Sequence, residues 1–152
     1  MKIVIQIVDQ ASVEIQNEIF SQIGVGMLIL LGIENGDNFE TADKLIEKIV
    51  KMRTFANHEL KKFFELSISE IQGEILVVSQ FTIPATMFKG RRPDFSNAMP
   101  PSQAKSIYEY FVDKIGNDSG VNIQTGVFGA EMKVGLVNNG PITYFLDSKD
   151  YV

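Results

Sequence analysis

Ser79-Gln80-Phe81-Thr82 is the first segment whose residue types could do chemistry. It sits at the end of a strand-like run opened by Gly73, Glu74-Ile75-Leu76-Val77-Val78, just before Pro84. A hydroxyl, an amide, an aromatic ring and a second hydroxyl are delivered where a strand reaches a surface. Taken alone, Ser and Thr near a strand end are mostly structural. Asn138-Asn139-Gly140-Pro141-Ile142-Thr143 is the second segment, a turn signal with Pro near a strand start. On local chemistry alone it reads as a hairpin turn. Lys89-Gly90-Arg91-Arg92 is the third, a compact basic loop and the best phosphate contact in an acidic chain.

Other chemistries are narrowed by what the 152 residues contain. There is no cysteine, which excludes disulfides, thiolate metal sites and Cys nucleophiles. The one histidine, His58, would have to serve any Ser-His-Asp triad, and a multi-His metal site within one chain is excluded. His58-Glu59-Leu60-Lys61-Lys62 lacks the second His of the zinc-protease helix, so His58 reads as a loop residue. Thr82 is an obvious nucleophile, yet no base for it is evident. Gly24-Val25-Gly26 lacks the further Gly and the Lys-Ser/Thr of a phosphate loop and reads as a strand-entry turn. No metal and no cofactor is expected.

The elements that must position these residues follow from pattern. Residues 2–8 read as a buried strand, 11–16 as a half-buried one, 19–22 as a return strand after Asn17-Glu18, and 26–33 as another buried strand. A helix is expected from about Asn38 to Phe55, with Ala42, Leu45, Ile46, Ile49, Val50 and Met52 on its apolar face. Asp37 would be its N-cap, with Glu40 at the reciprocal position. Residues 57–59 read as a loop, 66–68 as a short strand and 74–82 as a strong one. The Pro-containing segment 84–101 is long enough to suggest function. A second helix is expected over 102–115, ended by Gly116, then strands over 121–128, 131–137 and 141–147. Two helices are too few for a doubly wound parallel sheet. The expectation is a single α+β domain over 1–152, with a mixed, largely antiparallel sheet.

No apolar run approaches the ~20 residues of a membrane-spanning helix. The N-terminus lacks a signal peptide's shape, so the expected location is the cytosol. A net charge of −5 argues against a protein that coats nucleic acid, though not against one that grips only the end of an RNA.

Together the segments resemble the D-aminoacyl-tRNA deacylases, which carry a Ser-Gln-Phe-Thr strand end and a C-terminal Asn-x-Gly-Pro-x-Thr. Lys89-Gly90-Arg91-Arg92-Pro93-Asp94-Phe95, Pro100-Pro101, Thr125-Gly126-Val127-Phe128-Gly129-Ala130-Glu131-Met132 and Ala11-Ser12-Val13 also match, so the likeness spans nearly the whole chain. It implies the family's barrel-like core and a homodimer with active sites at the interface. Gly140-Pro141 would be a Gly-cis-Pro entering the partner's site, where its carbonyls exclude an L side chain but admit a D-amino acid or glycine. Asn138 and Thr143 would support that motif. The substrate's own 2′-hydroxyl would attack the ester, with Phe81 and Thr82 supplying N–H groups, Gln80 holding the terminal adenosine, and Ser79 completing the motif. Lys89, Arg91 and Arg92 would contact tRNA.

Three departures stand out. Ile7 and Gln10 replace arginines of the family, the first of which helps set the Gly-Pro carbonyls. Ile83 to Phe88 is unusual after the first motif, and Phe63-Phe64 replaces Met-Asn or similar. Two alternatives therefore stand: a sibling with a Gly-trans-Pro and relaxed selectivity for L-amino acids, and a non-catalytic nucleic-acid-binding relative. The chain ends soon after its last strand without an added tail, and duplex DNA is not an expected partner.

Overall fold

The computed structural model describes residues 1–87 and 90–151. The two strands expected near the N-terminus are one, β1 (Lys2–Ile15). Along one edge it pairs with β8 (Lys133–Asp147), from Lys2↔Asp147 to Glu14↔Lys133. Along the other it pairs with β3 (Gly26–Gly32) through residues 2–8 and with β2 (Glu18–Ile23) through residues 11–15, all antiparallel. β3 continues in parallel to β6 (Glu74–Ser79), and β6 in parallel to β7 (Asn122–Thr125). The Ser21 hydroxyl donates to the Thr125 carbonyl at 2.7 Å and links β2 to β7, so this mixed sheet curls nearly into a barrel.

A single irregularity lets β1 serve two cores. Ile3, Ile5 and Ile7 face the helices, whereas Val8, Ala11 and Val13 face the barrel interior with Ile23, Leu28, Leu76 and Val78. A strict alternation would put residue 10, not 11, inside with Val8. Asp9 is the extra residue: Val8 pairs with Asn138 and Gln10 with Val137, so Asp9 bulges and the phase slips by one. Strands β3 and β6 are buried on both faces, which is why they read as unbroken apolar runs.

Two helices cover the outer core. α1 (Phe39–Lys51) buries Ala42, Leu45, Ile46 and Ile49. Its cap lies one residue later than expected: Asn38 accepts from the Thr41 N–H at 2.9 Å and Thr41 answers the Asn38 N–H. Asp37 accepts instead from the Met1 ammonium and the Glu34 N–H, each at 2.6 Å. The helix stops at Lys51 rather than Phe55 because Thr54 donates to the Leu66 carbonyl and Phe55 enters a hairpin, β4 (Phe55–Asn57) with β5 (Lys62–Leu66). The loop expected at 57–59 is the turn of this hairpin, His58 and Glu59 lying in it, whereas of the strand expected at 66–68 only Leu66 belongs to β5.

α2 (Pro101–Ser119) outruns its expected end at Gly116 and closes on Gly120, whose φ of 67° is left-handed. Gly116 lies inside the helix, where a Cβ would come within 3.1 Å of Ile123. The strands expected at 131–137 and 141–147 are the two limbs of β8, and the one at 121–128 is the shorter β7. No helix among the described residues is long and apolar enough to cross a membrane.

Candidate active site

β6 ends at Ser79, earlier than expected, and the chain turns over the end of β3. Gln80 donates to the Leu31 carbonyl at 2.8 Å, Ile83 to the Gln80 carbonyl and Ala85 to the Thr82 carbonyl. The turn lies directly on Gly32, where a Cβ would meet Pro84 Cδ at 2.7 Å and the Gln80 carbonyl oxygen at 3.1 Å. Glycine is therefore needed for closeness rather than for its dihedral freedom.

Ser79, Gln80 and Phe81 line a cleft of about 290 Å³. Its opposite walls come from Met99 and Ala104 at the start of α2, and from Phe128 and Met132 before β8. Tyr108 supports this wall from behind, stacked against Phe128 and donating to the Val77 carbonyl at 2.9 Å. Burial pushes its phenol up to about 12. Phe81 is 63% exposed at the cleft and packs against Phe95, ring centroids 5.2 Å apart.

Two features give this turn chemical meaning. No hydrogen bond among the described residues uses the N–H of Phe81 or of Thr82 as donor, so two consecutive amides are available to an oxyanion. The Thr82 hydroxyl accepts from the Gln80 side-chain amide at 2.6 Å and has no hydrogen bond to a base among the described residues. His58 sits exposed in the β4–β5 turn and is not among the residues lining the cleft.

The second motif forms a protruding arc. Gln6 pairs with Thr143 and Val8 with Asn138, so the single residue Ile7 faces residues 139–142 of β8. Gly140 and Pro141 are exposed at its crest, and the peptide bond between them is cis rather than trans. Gly140 has φ 120°, and a Cβ there would meet Ile142 Cγ1 at 2.4 Å, so only glycine fits. Asn138 ties the feet of the arc: its Nδ2 donates to Thr143 Oγ1 at 3.1 Å and its Oδ1 accepts from the Ile142 N–H at 3.3 Å. Asn139 donates to the Asp9 carboxylate at 2.6 Å. Gly140 and Pro141 do not line the cleft of their own chain.

Of the basic loop, Arg91 and Arg92 are exposed in a turn closed by the Thr86↔Asp94 bridge. Lys89 lies outside the described residues. The structure thus brings Ser79, Gln80 and Phe81 to one cleft, sets Thr82 in the same turn, and keeps the second motif apart from them. Sequence reading missed the lining by Met99, Ala104, Phe128 and Met132, the Phe95 stack and the Asp9 contact. Phe95 and residues 125–132 carried a signal, through their family likeness.

Comparison with known proteins gives one direction. Residues 4–147 match the model of the family described as D-Tyr-tRNA(Tyr) deacylase. A protein of Flavobacterium psychrophilum named D-aminoacyl-tRNA deacylase is 46% identical over 150 residues, 99% of each chain. One of Geotalea uraniireducens with the same name is 47% identical, over 97% of this chain and 94% of the relative. Among solved structures, c-Myc DNA Unwinding Element Binding Protein superposes with a TM-score of 0.90 at 39% identity, covering 97% of this chain and 98% of that one. A probable eukaryotic D-amino acid tRNA deacylase shares the fold, with a TM-score of 0.80 at 16% identity, covering 95% and 97%.

Proposed function

The chain belongs to the D-Tyr-tRNA(Tyr) deacylase family, and on that premise we propose that it hydrolyses the ester joining a D-amino acid to the 3′ end of tRNA. Proteins 46% and 47% identical over nearly the whole chain carry that activity in their names. The observation that carries the mechanism is the pair of N–H groups at Phe81 and Thr82 that no hydrogen bond among the described residues uses, beside an apolar cleft.

An ester bound with its carbonyl oxygen on these amides has its developing negative charge met by preorganised donors. The nucleophile is then the substrate's own 2′-hydroxyl, adjacent to the ester, and the protein acts by holding the two in line. Gln80 and the exposed Phe81 ring contact the terminal adenosine. The cleft wall of Met99, Phe128 and Met132 accepts apolar surface. Arg91 and Arg92, with Lys89, contact the acceptor-end phosphates. The site lies in the cytosol, where aminoacyl-tRNA is found.

The working unit is a homodimer. The Gly140-Pro141 arc stands out from its own chain and away from its own cleft, so a second copy is needed to bring it to the ester. Leu136, Val137 and Phe145, exposed along β8 on both sides of the arc, offer that copy apolar surface. In the partner's cleft the arc's carbonyls exclude an L side chain by collision and admit a D-amino acid or glycine.

A single-turnover assay comparing D-tyrosyl-tRNA with L-tyrosyl-tRNA tests this reading. Loss of D-tyrosine with L-tyrosine spared is expected, and Pro141→Ala should add L activity. Cleavage of both esters by the wild type favours a relaxed-selectivity editor; cleavage of neither removes the enzymatic reading.

A further inference from the structure

Asn139 opens the Gly140-Pro141 arc, and the family's arginines at positions 7 and 10 are replaced here by a buried Ile7 and by Gln10. Something else must hold this limb. The contact present is with Asp9, whose Oδ1 accepts from Asn139 Nδ2 at 2.6 Å. Asp9 is the bulged residue of β1, with no ladder partner of its own between Val8↔Asn138 and Gln10↔Val137. The bulge is what turns its carboxylate toward the arc. Among the described residues Asp9 joins no ion pair, and the Asn139 amide is its one side-chain partner there. The arc is then held at both ends: Asn138 ties its feet to Ile142 and Thr143, and Asp9 anchors Asn139 from the neighbouring strand.

We infer that Asp9 is a positioning residue that sets the selectivity of this chain, fixing Asn139 and through it the direction of the Gly140 and Pro141 carbonyls. It touches no substrate. This rests on the reading of the arc as the element that excludes L-amino acids. A merely structural Asp9 would affect folding stability without changing the choice between the two ester isomers.

The test measures single-turnover rates on D-tyrosyl-tRNA and L-tyrosyl-tRNA, with a thermal midpoint for each protein. The variants are Asp9→Ala, Asp9→Asn, Asn139→Ala, the Asp9→Ala/Asn139→Ala double and, as control, Pro141→Ala. Asp9→Ala should lower the D-to-L rate ratio roughly tenfold, the scale of one charge-assisted hydrogen bond. Asn139→Ala should match it, and the double should be no worse than either single, because one contact is lost in all three. Asp9→Asn keeps an acceptor and should restore most of the ratio. An unchanged ratio in Asp9→Ala beside a collapsed ratio in Pro141→Ala overturns the role of Asp9 and leaves the arc reading standing. A lower melting point with an unchanged ratio also overturns it. An unchanged ratio in Pro141→Ala removes the arc reading, and the inference falls with it.

Discussion

The side-chain amide of Gln80 donates to the hydroxyl of Thr82 at 2.6 Å, and no hydrogen bond among the described residues hands the hydroxyl's own proton to a base. An activated Thr nucleophile needs a base within reach of that proton. Thr82→Ala should therefore retain single-turnover deacylation of D-tyrosyl-tRNA to within about tenfold, because the backbone N–H survives the substitution. Complete loss of turnover in a folded, tRNA-binding Thr82→Ala protein would restore Thr82 as nucleophile.

The complementary prediction concerns the substrate. If the 2′-hydroxyl attacks, D-tyrosyl-tRNA ending in 2′-deoxyadenosine lacks the nucleophile. Its deacylation should fall by roughly a thousandfold or more, while binding stays close to that of the normal substrate. Competition with the unmodified tRNA separates the two effects. Near-normal turnover of the deoxy substrate would require a nucleophile from the protein or from bulk water.

Sequence reading reached the motifs and the class of fold, and its misses have physical causes. Residues 79–82 and 138–143 each read locally as structural, and they stand out only as a pair in the order and spacing of the family they resemble. β3 and β6 were legible because burial on both faces leaves continuous apolar runs. The unity of β1 was hidden: Asp9-Gln10 resembles a break, and only pairing with β8 turns it into a bulge. Gly116 reads as a helix stop, yet it is glycine to let Ile123 approach. The cap at Asn38 was displaced to Asp37 because both are good caps, and Asp37 is drawn to the Met1 ammonium. The cleft walls at Met99, Phe128 and Met132 are apolar, and nothing in their local sequence separates a cleft from a core.

Gly32 tests whether the cleft depends on the close fit of β3 under the Gln80 turn. An added Cβ would meet Pro84 Cδ at 2.7 Å and the Gln80 carbonyl at 3.1 Å. Gly32→Ala should cost about 1–3 kcal/mol of stability by overpacking. It should also slow deacylation by moving the Phe81 and Thr82 amides. Chemical denaturation and single-turnover rates check the two effects, and an unaffected rate would show that the turn adjusts without disturbing the donors.

Tyr108 gives a prediction with a definite pH window. Its phenol is buried and donates to the Val77 carbonyl at 2.9 Å, and burial raises its pKa from 10.0 to about 12. The folded state thus holds the proton more tightly than the unfolded state. The stability this contributes is complete below pH 10 and is lost as pH rises toward 12. Tyr108→Phe removes both the hydrogen bond and the titration. It should cost about 1 kcal/mol near neutrality, the usual net value of such a bond, because the Val77 carbonyl keeps the Gly126 N–H as donor. Above pH 10 its stability should fall less steeply than that of the wild type, so the two denaturation curves should converge. Parallel curves up to pH 12 would mean that the phenol ionises in the folded protein as readily as in the unfolded chain.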